Sequence, residues 1–241
     1  MIHRRDWVLF RLKEADLRIS SPRADVVEAE VRRLRAVLEA YIDRQPAFKA
    51  ALVPIDLLDG APPIAVAMAD AARACGVGPM AAVAGAVAQA AAEAALAAGA
   101  EEAIVENGGD TWIASSSEVT VGLYAGDNPI SGKLALCIPA DRLPLSVCSS
   151  SGRFGHSLSF GDCDLATVVA RNGALADAAA TLAANCVRTA VDAEPTLEHV
   201  MAIPGIEGVL IVKDDRVGVA GDVPRLVKCD DPDFALKTRH R

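Results

Sequence analysis

The chain has 241 residues, which suits one large domain or two closely packed lobes, and we expect a single domain over residues 1–241. Hydrophobic residues make up 52% and aromatic residues only 4%, so the core should consist largely of small side chains. The net charge of −8 and the isoelectric point of about 5.0 argue against a nucleic-acid partner.

The most apolar stretch, residues 80–98, is mostly alanine and contains Gln89 and Glu93. Alanine contributes little transfer free energy, so this stretch predicts a core helix and no membrane partner. No long apolar segment follows Met1, which predicts a cytoplasmic protein. The six cysteines form no C-x-x-C pair, so we expect free, mostly buried thiols.

In chain order, residues 7–19 alternate loosely in polarity and predict one or two opening strands. A first helix should begin near Ser21 and run to about Arg44, because apolar residues recur there every three or four positions. Further helices are predicted over residues 64–74, 80–98 and 173–187, and the second of these ends at Gly99, a residue suited to a helix C-terminus.

Short runs with strand character fall between these helices. They cover residues 103–106, 112–114, 119–124 and 133–138, and a hairpin is predicted from residues 209–212 and 217–219. Strands therefore come in antiparallel groups with helices between them, which predicts an α+β fold and not a βαβ array.

Three loops of small residues could bring backbone N–H groups close to an anion. One contains Gly78 just before a helix, the second is Asn107, Gly108, Gly109 and Asp110, and the third is Ser149, Ser150, Ser151 and Gly152. None matches a dinucleotide or P-loop fingerprint, and a plain turn is the alternative interpretation of each.

Asp177 and Thr181 lie four residues apart on a predicted helix and so share one face. Both carry oxygen atoms, the ligands that magnesium prefers. In the alternative interpretation, Asp177 complements the positive end of the helix and Thr181 bonds backward along it.

Two further residues could take part in catalysis. Cys148 precedes the serine run, where nearby N–H donors could lower the pKa of its thiol and make it a nucleophile. His156 lies among residues that favour a loop and is available for contact there. A buried structural thiol and a structural histidine are the alternatives.

The succession of these motifs resembles the ApbE-type FAD:protein FMN transferases over residues 80–181. The matching features are a small-residue helix, a G-G-D-type loop, a T-S-G-like loop with a following histidine, and an A-D-A-x-x-T helix. They correspond to Ala81–Ala98, Asn107–Asp110, Ser150–Gly152 with His156, and Ala176–Thr181. The phrases at Gly78–Gly85 and His156–Gly161 resemble a cytoplasmic, functionally uncharacterised branch of the ApbE superfamily.

The resemblance implies an ApbE-like, T-fold-related arrangement of antiparallel sheets with packed helices. It also implies that Asp177 and Thr181 hold Mg²⁺ against the pyrophosphate of FAD, a small-molecule nucleotide, in a cleft lined by the second and third loops. One departure concerns charge: the family's flavin-contacting lysine falls near Ala84. We therefore expect weaker flavin binding than in an active transferase and no transfer of FMN.

Two other functions remain as hypotheses. The chain could be a thiol-dependent protein of sulfur metabolism that uses Cys148, or a non-catalytic scaffold that binds a partner protein. The metal pair and the loops favour the flavin hypothesis, whereas Ala84 and the cysteine favour the thiol hypothesis. The sequence leaves open whether the chain is an enzyme.

Overall fold

The computed structural model describes residues 5–152 and 161–229. Within these ranges the helices are α1 (Ala24–Arg44), α2 (Ala47–Ala50), α3 (Pro63–Cys75), α4 (Val83–Ala97), α5 (Gly173–Cys186) and α6 (Ala193–Met201). The strands are β1 (Val8–Leu12), β2 (Ala15–Ser20), β3 (Ala103–Asn107), β4 (Asp110–Ala114), β5 (Val119–Gly122), β6 (Leu134–Ile138), β7 (Leu145–Ser150), β8 (Leu165–Ala170), β9 (Ile206–Lys213), β10 (Arg216–Gly221) and β11 (Arg225–Lys228).

The strands form two sheets. Eight of them pair in the order β1-β2-β3-β4-β7-β8-β9-β10, and the other three pair in the order β11-β6-β5. Every neighbouring pair is antiparallel. The order of the large sheet follows the chain except that the β5–β6 hairpin leaves it to pair with β11. The predicted α+β fold with antiparallel sheets is confirmed.

The large sheet is covered on both faces. Successive side chains of a strand point to opposite faces, so the central strands are apolar throughout. Val105 and Ile211 pack with the helices, whereas Ile104 and Leu210 pack against the three-stranded sheet. The helices therefore form one outer layer and the small sheet the other.

The apolar residues that recur along helix α1 are the ones that it buries in the core. Its buried residues are the predicted stripe of Val27, Val31, Leu34, Leu38 and Tyr41, and its other faces carry charges. Fully burying a side chain of this size contributes about 1.5–3 kcal/mol, so the stripe fixes the rotation of α1 over the core.

Some expectations need correction. Ser149 and Ser150, predicted to lie in a loop, are the last residues of β7, because β8 pairs with them in register. The predicted helix from residue 80 begins as a 3₁₀ turn over Pro79–Ala82 before α4. Strands β8 and β11 and helix α6 were not expected from the pattern along the chain.

The segment Pro79–Ala97 is apolar and long enough to cross a membrane, the one such segment in the described ranges. In the fold, its α4 portion packs against α1, α5 and the large sheet, and its buried alanines belong to the main core. This packing accounts for the apolar composition.

Candidate active site at the crossing of two helices

The first part of the candidate site is the β3–β4 hairpin. Asn107 and Asp110 face each other across a two-residue turn, in which Gly108 and Gly109 have φ angles of 66° and 110°. Positive φ at both turn positions favours glycine. The turn is therefore tight, and it places Asp110 at the start of β4, in the buried part of the sheet.

The second part is α5, which carries Asp177. The helix is capped by Asn172, whose side chain accepts a hydrogen bond from the N–H of Leu175 at 2.9 Å. Asp177 and Thr181 are both buried. The Oδ2 atom of Asp177 accepts a hydrogen bond from the N–H of Gly85 at 2.9 Å. This bond joins α5 to the first turn of α4.

Asp110 and Asp177, which we call the acidic pair, interact with each other. Burial raises the pKa of the Asp177 carboxyl well above its ordinary value, and the negative charge of Asp110 raises it further. The N–H groups of Gly85 and Ala84 act in the opposite direction. Within the described residues, no basic side chain is among the causes of this pKa shift. Two buried like charges favour protonation of one carboxyl unless a cation lies beside them.

Other polar groups lie around the pair. The side-chain amide of Asn107 donates to the carbonyl oxygen of Ala84 at 3.3 Å, and Oδ1 of Asp110 accepts from the N–H of Ser149 at 3.2 Å. The structure therefore brings Asn107, Asp110, Ser149 and Asp177 together around the start of α4. Thr181 lies one turn beyond Asp177 along α5.

The glycine loops use their N–H groups within the protein. The N–H of Gly109 donates to Oε1 of Glu106 at 3.1 Å, and the N–H of Gly152 donates to the carbonyl oxygen of Cys163 at 2.8 Å. These two N–H groups are therefore satisfied within the protein, which favours the alternative interpretation of a plain turn at Gly109 and at Gly152. Ser151 also bonds to Cys163, through its hydroxyl group at 3.2 Å.

Gly78 has a structural explanation of its own. A Cβ atom at this position would lie 1.9 Å from the carbonyl oxygen of Ala51, so the close approach of two chain segments requires glycine there. This contact accounts for the glycine without a ligand.

Cys148 departs from its expected chemistry. Its thiol is fully buried under the acidic pair and donates toward the carbonyl oxygen of Gly173 at 3.7 Å. Burial, followed by the charges of Asp110 and Asp177, raises the thiol pKa well above its ordinary value. The expected lowering of the pKa is wrong, because the negative neighbours oppose the thiolate that a nucleophile needs. His156 lies outside the described residues.

Two surface cavities lie away from this site. One, of about 450 Å³, is lined by Asn128, Asp164 and Asp214 among others. The second, of about 630 Å³, lies beside α3 and includes Val66 and Leu175. Neither cavity is lined by a member of the acidic pair, so the site is identified by its buried polar groups and not by an open volume.

Two residues of the site were not singled out from the sequence. Gly85 supplies the N–H group that bonds Asp177, and Gln89 bonds the first residue of α5 through its side chain. The available signal was a glycine and a glutamine within an alanine-rich helix, since a glycine inside a helix usually has a packing or functional reason.

Comparison with known sequences identifies a protein family and several relatives of similar length. Residues 1–202 match the family described as "AbpE bacteria". The chain is 39% identical over 208 residues to a UPF0280 protein of Methanocaldococcus jannaschii, covering 84% of each chain. It is 38% identical over 226 residues to a UPF0280 protein of Methanopyrus kandleri, covering 90% of each.

Solved structures with the same fold include flavin transferases. The apo form of the flavinyl transferase ApbE from Pseudomonas stutzeri superimposes with a TM-score of 0.56 and 10% identity, covering 90% of this chain and 94% of that one. The ApbE protein of Thermotoga maritima gives a TM-score of 0.51 with 12% identity, covering 98% and 100%. At such identities the likeness concerns the fold.

Proposed function

We propose, from the premise that this chain belongs to the AbpE bacteria family, that it binds a flavin or related nucleotide diphosphate through a divalent metal ion. The observation that carries the proposal is the burial of two interacting carboxyl groups, Asp110 and Asp177, at the start of α4. Burying like charges together is costly, and a divalent cation between them would offset that cost.

The donor set fits magnesium. In the described part of the chain no group of three or more His, Cys, Asp or Glu side chains could hold a metal on its own. Magnesium is commonly bound by one or two carboxylates, with waters and substrate phosphates completing its octahedron. Asp110 and Asp177 would supply the carboxylates, and the Thr181 hydroxyl is a further oxygen donor on the same helix face.

The protein groups would hold these ligands in place. The N–H of Gly85 orients the Asp177 carboxylate, and the N–H of Ser149 orients that of Asp110. When bound, the metal ion would neutralise negative charge on the diphosphate. Because Ala84 stands where the ApbE resemblance places a lysine, this neutralisation would depend more heavily on the metal ion.

The nature of the ligand follows from the fold relationship. The structural neighbours are flavin transferases by name, which makes a flavin nucleotide the first ligand to test. Chemistry at this site, if the chain has any, would be of the flavin-transferase type. The missing lysine leads us to expect binding weaker than in an active transferase, without transfer of FMN to a protein.

The experiment compares FAD binding by wild type and Asp177→Asn, with Mg²⁺ or with a chelator. Asparagine keeps an acceptor for the Gly85 N–H group but removes the negative charge. The variant therefore distinguishes a role of Asp177 in bonding Gly85 from a role in binding metal. We expect Mg²⁺-dependent retention of flavin by wild type after gel filtration. Changes to residues that only orient a metal ligand already cost about 10–100-fold in metal affinity, so loss of the Asp177 ligand itself should weaken binding at least about 100-fold.

Asp70→Asn is the matched control, since it removes an exposed carboxylate from the neighbouring helix α3. Its flavin and metal binding should equal those of wild type. Flavin binding that is indifferent to Mg²⁺, or absent under all conditions, would refute the proposal. Efficient transfer of FMN would show instead that the missing lysine is not needed for catalysis.

A further inference from the structure

Helices α4 and α5 touch through their backbones. A Cβ atom on Gly85 would lie 2.2 Å from the carbonyl oxygen of Gly173, and a Cβ atom on Gly173 would lie 2.5 Å from that of Gly85. Real Cβ atoms do not approach carbonyl oxygens so closely. The two glycines therefore allow a crossing that any other residue would force apart.

Two hydrogen bonds bridge the helices at this crossing. The N–H of Gly85 donates to the carboxyl group of Asp177 at 2.9 Å, and the N–H of Gly173 donates to Oε1 of Gln89 at 2.7 Å. Gln89 lies four residues after Gly85, whereas Gly173 lies four residues before Asp177. The two bonds are thus one helical turn apart, about 5.4 Å, on antiparallel helices.

This arrangement assigns Gln89 a function. We propose that Gln89 is a positioning residue that fixes the axial register of α5 on α4 and thereby places the Asp177 carboxylate against Gly85. Its consequence for metal binding rests on the function proposed above. On its solvent side, Nε2 of Gln89 donates to Oε1 of the exposed Glu93 at 2.7 Å, a bond within α4 that does not involve α5.

Loss of the hydrogen bond between Gln89 and the N–H of Gly173 should affect the register of the two helices more than the formation of α5. The N-terminus of α5 keeps its own cap, in which Asn172 accepts from the N–H of Leu175. Without the Gln89 acceptor, the N–H of Gly173 loses its partner in the other helix, and the Gly85–Asp177 bond is the one of the two bridging hydrogen bonds that remains. Outer partners that orient a metal ligand typically affect affinity by about 10–100-fold.

The test uses substitutions that differ in the acceptor. Gln89→Met keeps the length and removes the acceptor, whereas Gln89→Glu keeps an acceptor for Gly173. Gln89→Asn keeps the amide but is one methylene too short to reach the Gly173 N–H. It therefore removes the same hydrogen bond with a smaller change of side chain, should the methionine variant fold poorly. Glu93→Ala, which removes the outer partner at an exposed position, is the control.

The first measurement is the affinity for Mn²⁺ alone, without nucleotide, by paramagnetic resonance of the free ion. We expect about a tenfold rise in Kd for Gln89→Met, at the low end of outer-partner effects. Gln89→Glu and Glu93→Ala should bind as wild type does. An unchanged Kd in Gln89→Met and Gln89→Asn, with Asp177→Asn unable to bind, would overturn the positioning role while leaving the proposed function intact.

The second measurement needs no metal. Hydrogen exchange at the Gly85 amide, followed by NMR in the presence of a chelator, reports directly on its bond to Asp177. Exchange should be faster in Gln89→Met and Gln89→Asn and unchanged in Gln89→Glu. Equal exchange in all four proteins would refute the inference. If wild type fails to bind Mn²⁺, the proposed function fails, and this exchange pattern still decides the role of Gln89.

Discussion

Two of the places where the fold gathers carboxyl groups neutralise them differently. Around Lys213, which is itself buried, the ammonium group lies 3.0 Å from Asp162 and 3.1 Å from Asp214. The buried Asp164 nearby accepts from the amide of Asn128 at 2.9 Å and from the N–H of Asp214 at 2.7 Å. At the acidic pair, by contrast, backbone N–H groups stabilise the charged form of Asp177, and the second carboxyl, Asp110, destabilises it.

The difference separates a structural set of charges from a candidate binding site. A buried cation already compensates the aspartates near Lys213, so a ligand has little to gain there. The acidic pair is where the function proposed above places a cation, because Asp177 is held there by backbone N–H groups beside a second carboxyl. Perturbed carboxyls of this kind are concentrated at functional sites.

The largest expected effect concerns Lys213. Replacing it with methionine leaves Asp162 and Asp214 without that cation, and removing one partner of a buried ion pair costs about 3–5 kcal/mol. The side chains of Asp162 and Asp214 are 48% and 57% exposed, so water screens part of the lost attraction. We therefore expect a loss of about 2 kcal/mol in the free energy of unfolding by urea at neutral pH. Lys228→Met at an exposed position is the control, with a change within about 0.5 kcal/mol. Equal effects would erase the contrast between the two regions.

Gly85→Ala should have an intermediate effect. The added Cβ would lie 2.2 Å from the Gly173 carbonyl oxygen and 2.8 Å from Cβ of Asp177, so the helices must separate. Overpacking of this kind costs about 1–3 kcal/mol, and alanine's helix propensity offsets about 1 kcal/mol of it. We expect a net loss of up to about 2 kcal/mol in the free energy of unfolding by urea, with loss of metal binding. A more stable Gly85→Ala protein that still binds metal would show that the crossing is not tight.

The smallest expected effect is a pH dependence due to Asp177. Its folded pKa lies above the ordinary 3.8, so the folded state binds more protons than the unfolded state at intermediate pH. The contribution of Asp177 to stability is therefore complete below pH 3.8 and is lost as the pH rises through the folded value. In a chelator, wild type should lose stability with rising pH relative to Asp177→Asn, by about 1.4 kcal/mol for each unit of pKa shift.

Urea unfolding of both proteins across this pH range checks the sign. Parallel curves would mean that Asp177 titrates as an ordinary carboxyl, and the contrast with the aspartates near Lys213 would disappear. Saturating Mg²⁺ should remove the loss of stability that wild type shows with rising pH, because a cation bound to the folded state stabilises it by mass action.

Much of the architecture could be predicted from local pattern. The stripe of α1 and the hairpin of β9 and β10 depend on neighbours in sequence, and both were placed within a few residues. Ser149 and Ser150 were misplaced because serine favours loops, whereas pairing with β8 holds them in a strand. Pairing with distant strands overrides such propensities.

The candidate site shows the same limit. The resemblance placed Asp110 and Asp177 in one cleft, but nothing in the sequence indicated that both carboxyl groups would be buried there. Their proximity depends on the crossing of α4 and α5 at Gly85, and the bond between Gln89 and Gly173 depends on the same crossing. The pKa of Cys148 was predicted with the wrong sign, because the nearest charges in space are carboxyls and not the N–H donors nearest in sequence.

The pairing of β6 with β11 has a consequence for biosynthesis. Arg225 of the last strand lies opposite Cys137, and the two residues are 88 positions apart in the chain. Ribosomes add roughly 5–20 residues per second, so the edge of β6 emerges several seconds before the strand that covers it. During that interval the β5–β6 hairpin presents an open edge, the kind of surface that recruits other chains and engages chaperones.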